Sequence, residues 1–243
     1  MRLVTDWLLR LDPRWTVLIL AISIAMVGVS GVLTAWLAPD HPWFDLDSEI
    51  GLGWPPTEIT IALPSLWATL LLCFAGLCWI AVGWGRSSTG DRTAGLLFGL
   101  TLAFFAFDEQ FSVHERLESR LGLDWQLLYL PVAAFSAGLV LYWTVRVRRS
   151  VTTAAWMLLL ATACWALAAL LEYVQWRGDE QVDVYVLFMI PEELLELTGS
   201  SIFALAGLRV LRRDHAGWAA RAGTRRSGSA APTSSGTARG SDA

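Results

Sequence analysis

Apolar residues run along this chain in six long stretches, at about 15–37, 64–84, 94–115, 124–145, 152–175 and 186–211, separated by short polar connectors. A bilayer's hydrocarbon core is about 30 Å thick, and a helix needs roughly 20 apolar residues to cross it. Backbone amides in lipid must be satisfied within the segment, which an apolar run of ~20 residues achieves only as a helix. The pattern predicts an all-α fold, a polytopic transmembrane six-helix bundle. The spans fill more than half of the 243 residues and leave no room for a second folded domain. Residues 1–213 are read as one six-helix transmembrane domain. Residues 214–243, rich in Gly, Ser, Ala, Thr and Arg and without periodicity, are read as a disordered cytoplasmic tail. The first stretch follows Arg2, Arg10 and Arg14, but its apolar run is too long for a signal peptide and no small-x-small site follows it, so it reads as a retained span. Ahead of it, Leu3, Trp7, Leu8 and Leu11 share one side of a short amphipathic segment, which predicts an interfacial helix.

Composition agrees: 55% of residues are hydrophobic, 16% are charged and the mean hydropathy is +0.49. All 18 basic residues are arginine. Fifteen lie in the N-terminal segment, the 85–93 and 146–151 connectors and the region from Arg209 onward; the three other connectors hold three (Arg116, Arg120 and Arg177). Positive charge in short loops stays cytoplasmic, so both termini are expected inside, in a multi-pass protein of the cell (inner or plasma) membrane. Tryptophans such as Trp36, Trp84, Trp125 and Trp176 near span ends fit headgroup anchoring. The net charge of −4 says little about partners, because the two signs are sorted across the membrane. The lipid bilayer is the expected partner, with a lipid-like substrate beside it; nucleic acid is not expected, and the oligomeric state is not legible. Cys73, Cys78 and Cys164 lie within spans and form no CxxC pair, which indicates packing residues rather than a redox relay.

The acids inside the spans change the picture. The third span carries Asp108 and Glu109, then His114 and Glu115; the fifth carries Glu172; the sixth carries Glu192, Glu193 and Glu196 just after Pro191. At a rise of 1.5 Å per residue, Asp108 and Glu196 each stand ~20 Å from the inner end of their helix, and Glu115 and Glu172 ~30 Å. Three helices thus place acids in the same outer third. On a continuous helix, Asp108, Ser112 and Glu115 form one stripe; Glu192, Glu196, Gly199 and Ser200 form another, and Cys164, Ala168 and Glu172 share a face. Gly95 and Gly99 form a GxxxG motif, which permits close helix approach. An ionised side chain at mid-bilayer costs ~2.5–3.5 kcal/mol, and each large apolar residue returns about 0.5 kcal/mol, so the sixth helix depends on its neighbours. Pro191 either bends that helix or begins it with Glu192 and Glu193 in the first turn. Pro131 offers a second bend.

Intramembrane acids are by default a functional site. The expected cofactor is a divalent metal cation held among Asp108, Glu109, His114, Glu115, Glu172, Glu192, Glu193 and Glu196. Oxygen ligands suit Ca, Mg or Mn, and one imidazole extends the set to Zn or Fe. The other reading of His114 is a surface histidine paired with Glu118. In the 38–63 connector, Asp45, Asp47 and Glu49 alternate as at the start of a calcium loop, but Gly51 falls one place late, and the stretch reads as a solvated acidic loop.

The DE-x4-HE stretch (Asp108-Glu109 and His114-Glu115), followed by Glu192-Glu193-Leu-Leu-Glu196 and a glycine, resembles an uncharacterised group of bacterial multi-pass membrane proteins that carry both motifs. The resemblance covers about a fifth of the chain and implies that the two motifs belong together; it carries no established activity. A retinal protein would need a lysine, a ceramidase-like hydrolase several intramembrane histidines, and a b-type cytochrome facing histidines; none is present. Three functions remain: a metal-dependent hydrolase acting on a lipid-like or periplasmic substrate, with His114 or Glu172 as further ligand or base; a cation- or proton-coupled transporter; and a non-catalytic scaffold or sensor. The inner half of every span lacks ionisable groups, which weighs against the transporter.

Overall fold

The computed structural model describes residues 2–37, 63–111, 113–123, 125–177, 180–181 and 186–228. Among the described residues eight helices follow one another: α1 (Arg2–Arg10), α2 (Pro13–Leu37), α3 (Leu63–Trp84), α4 (Thr89–Phe111), α5 (Val113–Leu121), α6 (Trp125–Val147), α7 (Thr152–Gln175) and α8 (Val186–Gly228). Between α7 and α8, β1 (Trp176–Arg177) and β2 (Glu180–Gln181) form a minimal antiparallel pair with Trp176 opposite Gln181. The acidic stretch 45–51 lies outside the described residues.

Among the described residues five helices (α3, α4, α6, α7 and α8) are long and apolar enough to cross a membrane, six if α1 and α2, a pair bent by 83°, count as one span. The bend has a local cause. Asp12 caps α2 by accepting the Arg14 amide at 2.8 Å, and Pro13 occupies the first helical position, where its missing N–H costs nothing. α1 lies against the bundle through Leu8, fully buried, while Leu3 and Trp7 remain exposed.

The centre of the bundle is a glycine seam. A Cβ on Gly95 would stand 2.5 Å from the Gly83 Cα, and one on Gly76 would stand 2.7 Å from the Gly99 carbonyl oxygen, so α3 and α4 meet backbone to backbone. The GxxxG motif of α4 is therefore used, and its partners are Gly76 and Gly83 of α3. Gly199 brings α8 onto α7 in the same way, against Ala161 and Trp165. Around the seam Trp79, Phe98, Trp143 and Phe203 form an aromatic core, with Trp79 Nε1 donating to the Phe203 carbonyl at 3.0 Å.

One end of the bundle gathers the arginines. Asp91 of α4, itself 2% exposed, accepts Arg146 Nε and Nη2 at 2.9 Å and the Tyr142 hydroxyl. Arg86 reaches Asp214 at 2.9 Å and lies over the Trp143 ring, while Arg212 donates to the Leu11 carbonyl. Asp108 and Glu109 of α4, Glu172 of α7 and Glu192, Glu193 and Glu196 of α8 sit toward the opposite end.

One sequence expectation differs in detail, and one open choice is resolved. The third apolar stretch is not described as one helix: α4 ends at Phe111 and α5 begins at Val113, so Asp108 and Glu115 belong to different helices. The cause is Asp108, whose Oδ1 accepts the His114 amide at 3.0 Å and thereby serves the donor-rich N-terminus of α5. α5 ends on Gly122, whose φ of 62° is left-handed and whose amide donates to the Glu118 carbonyl. Pro191 lies inside α8, not at its start, so Glu192 and Glu193 are interior helix residues. α8 itself continues beyond the 186–211 apolar stretch to Gly228, through a segment whose Ala216, Ala219, Ala220, Arg221 and Ala222 are strong helix formers. Residues 229–243 lie outside the described residues.

Candidate functional site

α4 and α8 deliver the site. Glu109 stands in the last turn of α4, and Glu193 and Glu196 are one turn apart on α8, past Pro191. Carboxylate oxygens of Glu109, Glu193 and Glu196 all lie within 4.8 Å of one another, and each of the three residues is partly buried. Glu192, 8% exposed, and the half-buried Glu172 of α7 are within electrostatic reach of Glu196. Five of the eight candidates named from sequence therefore fall into one negatively charged neighbourhood built from three helices.

The electrostatics of that neighbourhood are demanding. At this separation and an effective dielectric of 20, each ionised pair repels by about 3.5 kcal/mol. Positive charge has to meet it, whether from protons, a cationic side chain or a metal ion. The geometry suits a cation: oxygens from two helices converge on a volume that one ion fills, which is how hard-cation sites are assembled.

Asp108 and His114 form a separate unit beside the cluster. Asp108 is 7% exposed and both of its oxygens are engaged. Oδ1 accepts the His114 amide at 3.0 Å and the Tyr129 hydroxyl at 2.8 Å, and Oδ2 lies 2.9 Å from His114 Nδ1. A carboxylate only accepts, so this contact puts a ring proton on Nδ1. The ring also packs against two aromatics, tilted on Trp125 at 4.9 Å and edge-on to Tyr129 at 6.0 Å. His114 thus pairs with Asp108 through the same turn that breaks the helix. Glu115 belongs to α5, and its side chain lies outside the described residues.

Sequence reading missed Tyr129 and Trp125. Their signal was present: an i,i+4 aromatic pair opening α6, with a phenol in an apolar helix that needs an acceptor once buried. The Asp91–Tyr142–Arg146 network was missed for a different reason. Asp91 and Arg146 looked like ordinary loop charges, and nothing local tells that 55 residues apart they meet.

Below the cluster the bundle closes. Phe105, one turn under Glu109, stacks on Trp165 with centroids 5.7 Å apart, and the Trp79–Phe98–Trp143–Phe203 core follows. Among the described residues the acids therefore sit on an aromatic floor and face one end of the bundle.

The chain belongs to the family described as Domain of unknown function (DUF8692), whose model matches residues 15–211. The match runs from α2 through α8 to Leu211 and takes in every candidate residue. It bears out the resemblance to an uncharacterised group. No curated protein and no solved structure matches the chain.

Proposed function

We propose that this membrane protein binds a divalent cation through Glu109, Glu193 and Glu196, near the end of the bundle opposite the arginines. The convergence of the three carboxylates within 4.8 Å carries the reading. The three converging groups offer oxygen alone, and an all-oxygen set favours Mg, Ca or Mn over Zn or Fe. The test is metal content and Mn titration of the purified protein by electron paramagnetic resonance. One Mn per chain in the wild type, weakened at least tenfold in Glu196→Gln, is expected. A folded wild type that takes up no Mn, Mg or Ca at millimolar concentration overturns the reading.

The use assigned to the cation is hydrolysis of a lipid-like or periplasmic substrate. A bound hard cation supplies polarisation of a substrate oxygen. Consecutive in sequence, Asp108 and Glu109 set the Asp108–His114 pair beside the cluster, and an aspartate-held imidazole is a competent general base. The aromatic floor supports a one-sided site rather than a conducting path. Turnover of a panel of ester and phosphodiester lipids in mixed micelles, lost in both His114→Gln and Glu196→Gln, is the expected result; a metal-loaded protein inert across the panel leaves a non-catalytic sensor.

The same proposal includes six spans with both termini cytoplasmic and the acids toward the outer face. The segment Leu11–Gly28 runs beside α8, with Arg212 on the Leu11 carbonyl just ahead of α2 and Leu194 against Gly28 within it, so α2 lies alongside ~26 Å of α8. Reporter fusions at the two termini should both read as cytoplasmic; opposite readings reduce the count to five.

A further inference from the structure

A second feature lies at the other end of the molecule, away from the acids. α4 and α6 part to leave a groove of about 580 Å³. Its depth is apolar: Ala94, Leu97, Phe135 and Leu139 line it, and a Cβ placed on Gly138 would meet nothing within 4 Å. Thr89, Gly90, Thr93 and Tyr142 form its mouth. From Thr89 to Leu97 the groove runs ~12 Å along α4.

The mouth is positively charged. The Tyr142 hydroxyl and Arg146 share the Asp91 carboxylate, so the guanidinium sits at the opening. Asp91 takes Nε and Nη2; Nη1 is left over from that pair, and the Arg146 side chain is 52% exposed. Arg92 stands beside Thr93, and Arg148 and Arg149 follow Arg146 in the turn after α6, all three exposed.

A cleft on the flank of a membrane bundle is filled by hydrocarbon, since water there leaves its hydrogen bonds unmade. The arginine rim adds a selection, because guanidinium binds phosphate bidentately. We propose that the α4–α6 groove is a binding site for an anionic phospholipid, with one acyl chain along Leu97, Phe135 and Gly138 and the phosphate at Arg146. The site is independent of the carboxylate cluster.

The test is native mass spectrometry of the detergent-purified full chain titrated with dioleoyl phosphatidylglycerol or dioleoyl phosphatidylcholine. The wild type is expected to retain one phosphatidylglycerol at least tenfold better than phosphatidylcholine. Gly138→Leu fills the groove and lowers that retention about tenfold, and Gly138→Ala retains the lipid. Arg146→Gln keeps the chain contact and loses the headgroup preference. Circular dichroism and monodisperse elution report folding for each variant. Equal retention of the two lipids by the wild type, or unchanged retention in a folded Gly138→Leu, overturns the proposal. So does exclusion of lipid because a second copy, or residues 229–243 of the same chain, covers the groove.

Discussion

Replacing Gly95 by alanine tests the packing that sets the whole bundle. The added Cβ meets the Gly83 Cα at 2.5 Å, the Gly83 nitrogen at 2.8 Å and the Trp79 carbonyl oxygen at 3.0 Å, where ordinary contact begins at 3.4 Å. All three obstacles are backbone, so no side-chain rotation relieves them. α3 and α4 have to separate by about 1 Å, and a gap of that size forfeits a quarter to a half of each contact's dispersion energy. Overpacking costs about 1–3 kcal/mol, and a backbone obstacle places this substitution at the upper end. Gly138→Ala is the internal control: it is the same chemical change inside a helix, with nothing within 4 Å. Helix propensity alone makes that change neutral to favourable by up to about 1 kcal/mol. The two variants should differ by ~3 kcal/mol, about two decades in the unfolding constant. Equilibrium unfolding in mixed dodecyl sulfate micelles, followed by circular dichroism, measures it. Equal stabilities refute the glycine seam as the organising contact.

Tyr129→Phe removes one of the three donors to Asp108 and should cost about 1.5–3 kcal/mol by the same unfolding assay, with cation stoichiometry unchanged because the pair lies beside the cluster. Arg146→Lys loses the two-nitrogen grip on Asp91; because the arginine is half exposed, thermal unfolding should report a loss of about 1 kcal/mol or less, whereas Asp91→Ala should cost more by leaving the Tyr142 hydroxyl unpaired. Saturating Mn should stabilise the wild type by ~2.7 kcal/mol at a hundred times its dissociation constant and leave Glu196→Gln unmoved, as read by denaturation with and without chelator. Glu172→Gln, which alters a neighbour rather than one of the converging three, should weaken Mn binding less than Glu196→Gln does in the same titration.

The helices were legible because hydropathy and length decide them: α3, α6 and α7 begin and end within a few residues of the apolar stretches. The depth of the acids was legible for the same reason, since a fixed rise converts residue number into height. Glu109 and Glu196 meet as that count requires. What the sequence hid was direction. A rise per residue says how high Asp108 stands, and a continuous helix was needed to say which way it points. The carboxylate itself ends that continuity by accepting the His114 amide, so Asp108 pairs with His114 and Tyr129. A side chain that caps the next helix is a local event, but DE-x4-HE reads equally well as an uninterrupted turn.

The division of the molecule into a tight middle and a charged end bears on why the acids are tolerated at all. Three glutamates on α8 offset most of the apolar gain of that helix on insertion. Left alone, the segment has little reason to stay in lipid. Gly199 against Ala161 and Trp165, and Gly207 against Cys78 and Trp79, fasten α8 to α7 and α3 below the acids. That fastening fixes Glu193 and Glu196 close to Glu109, a placement that repulsion among the carboxylates opposes. Packing energy gathered at the seam is thus what holds like charges together at the end, and a group that neutralises them is bound by a site already formed. Loosening the seam at Gly199 should therefore weaken the cluster before it unfolds the bundle, because the site depends on the helices' spacing and the bundle only on their contact.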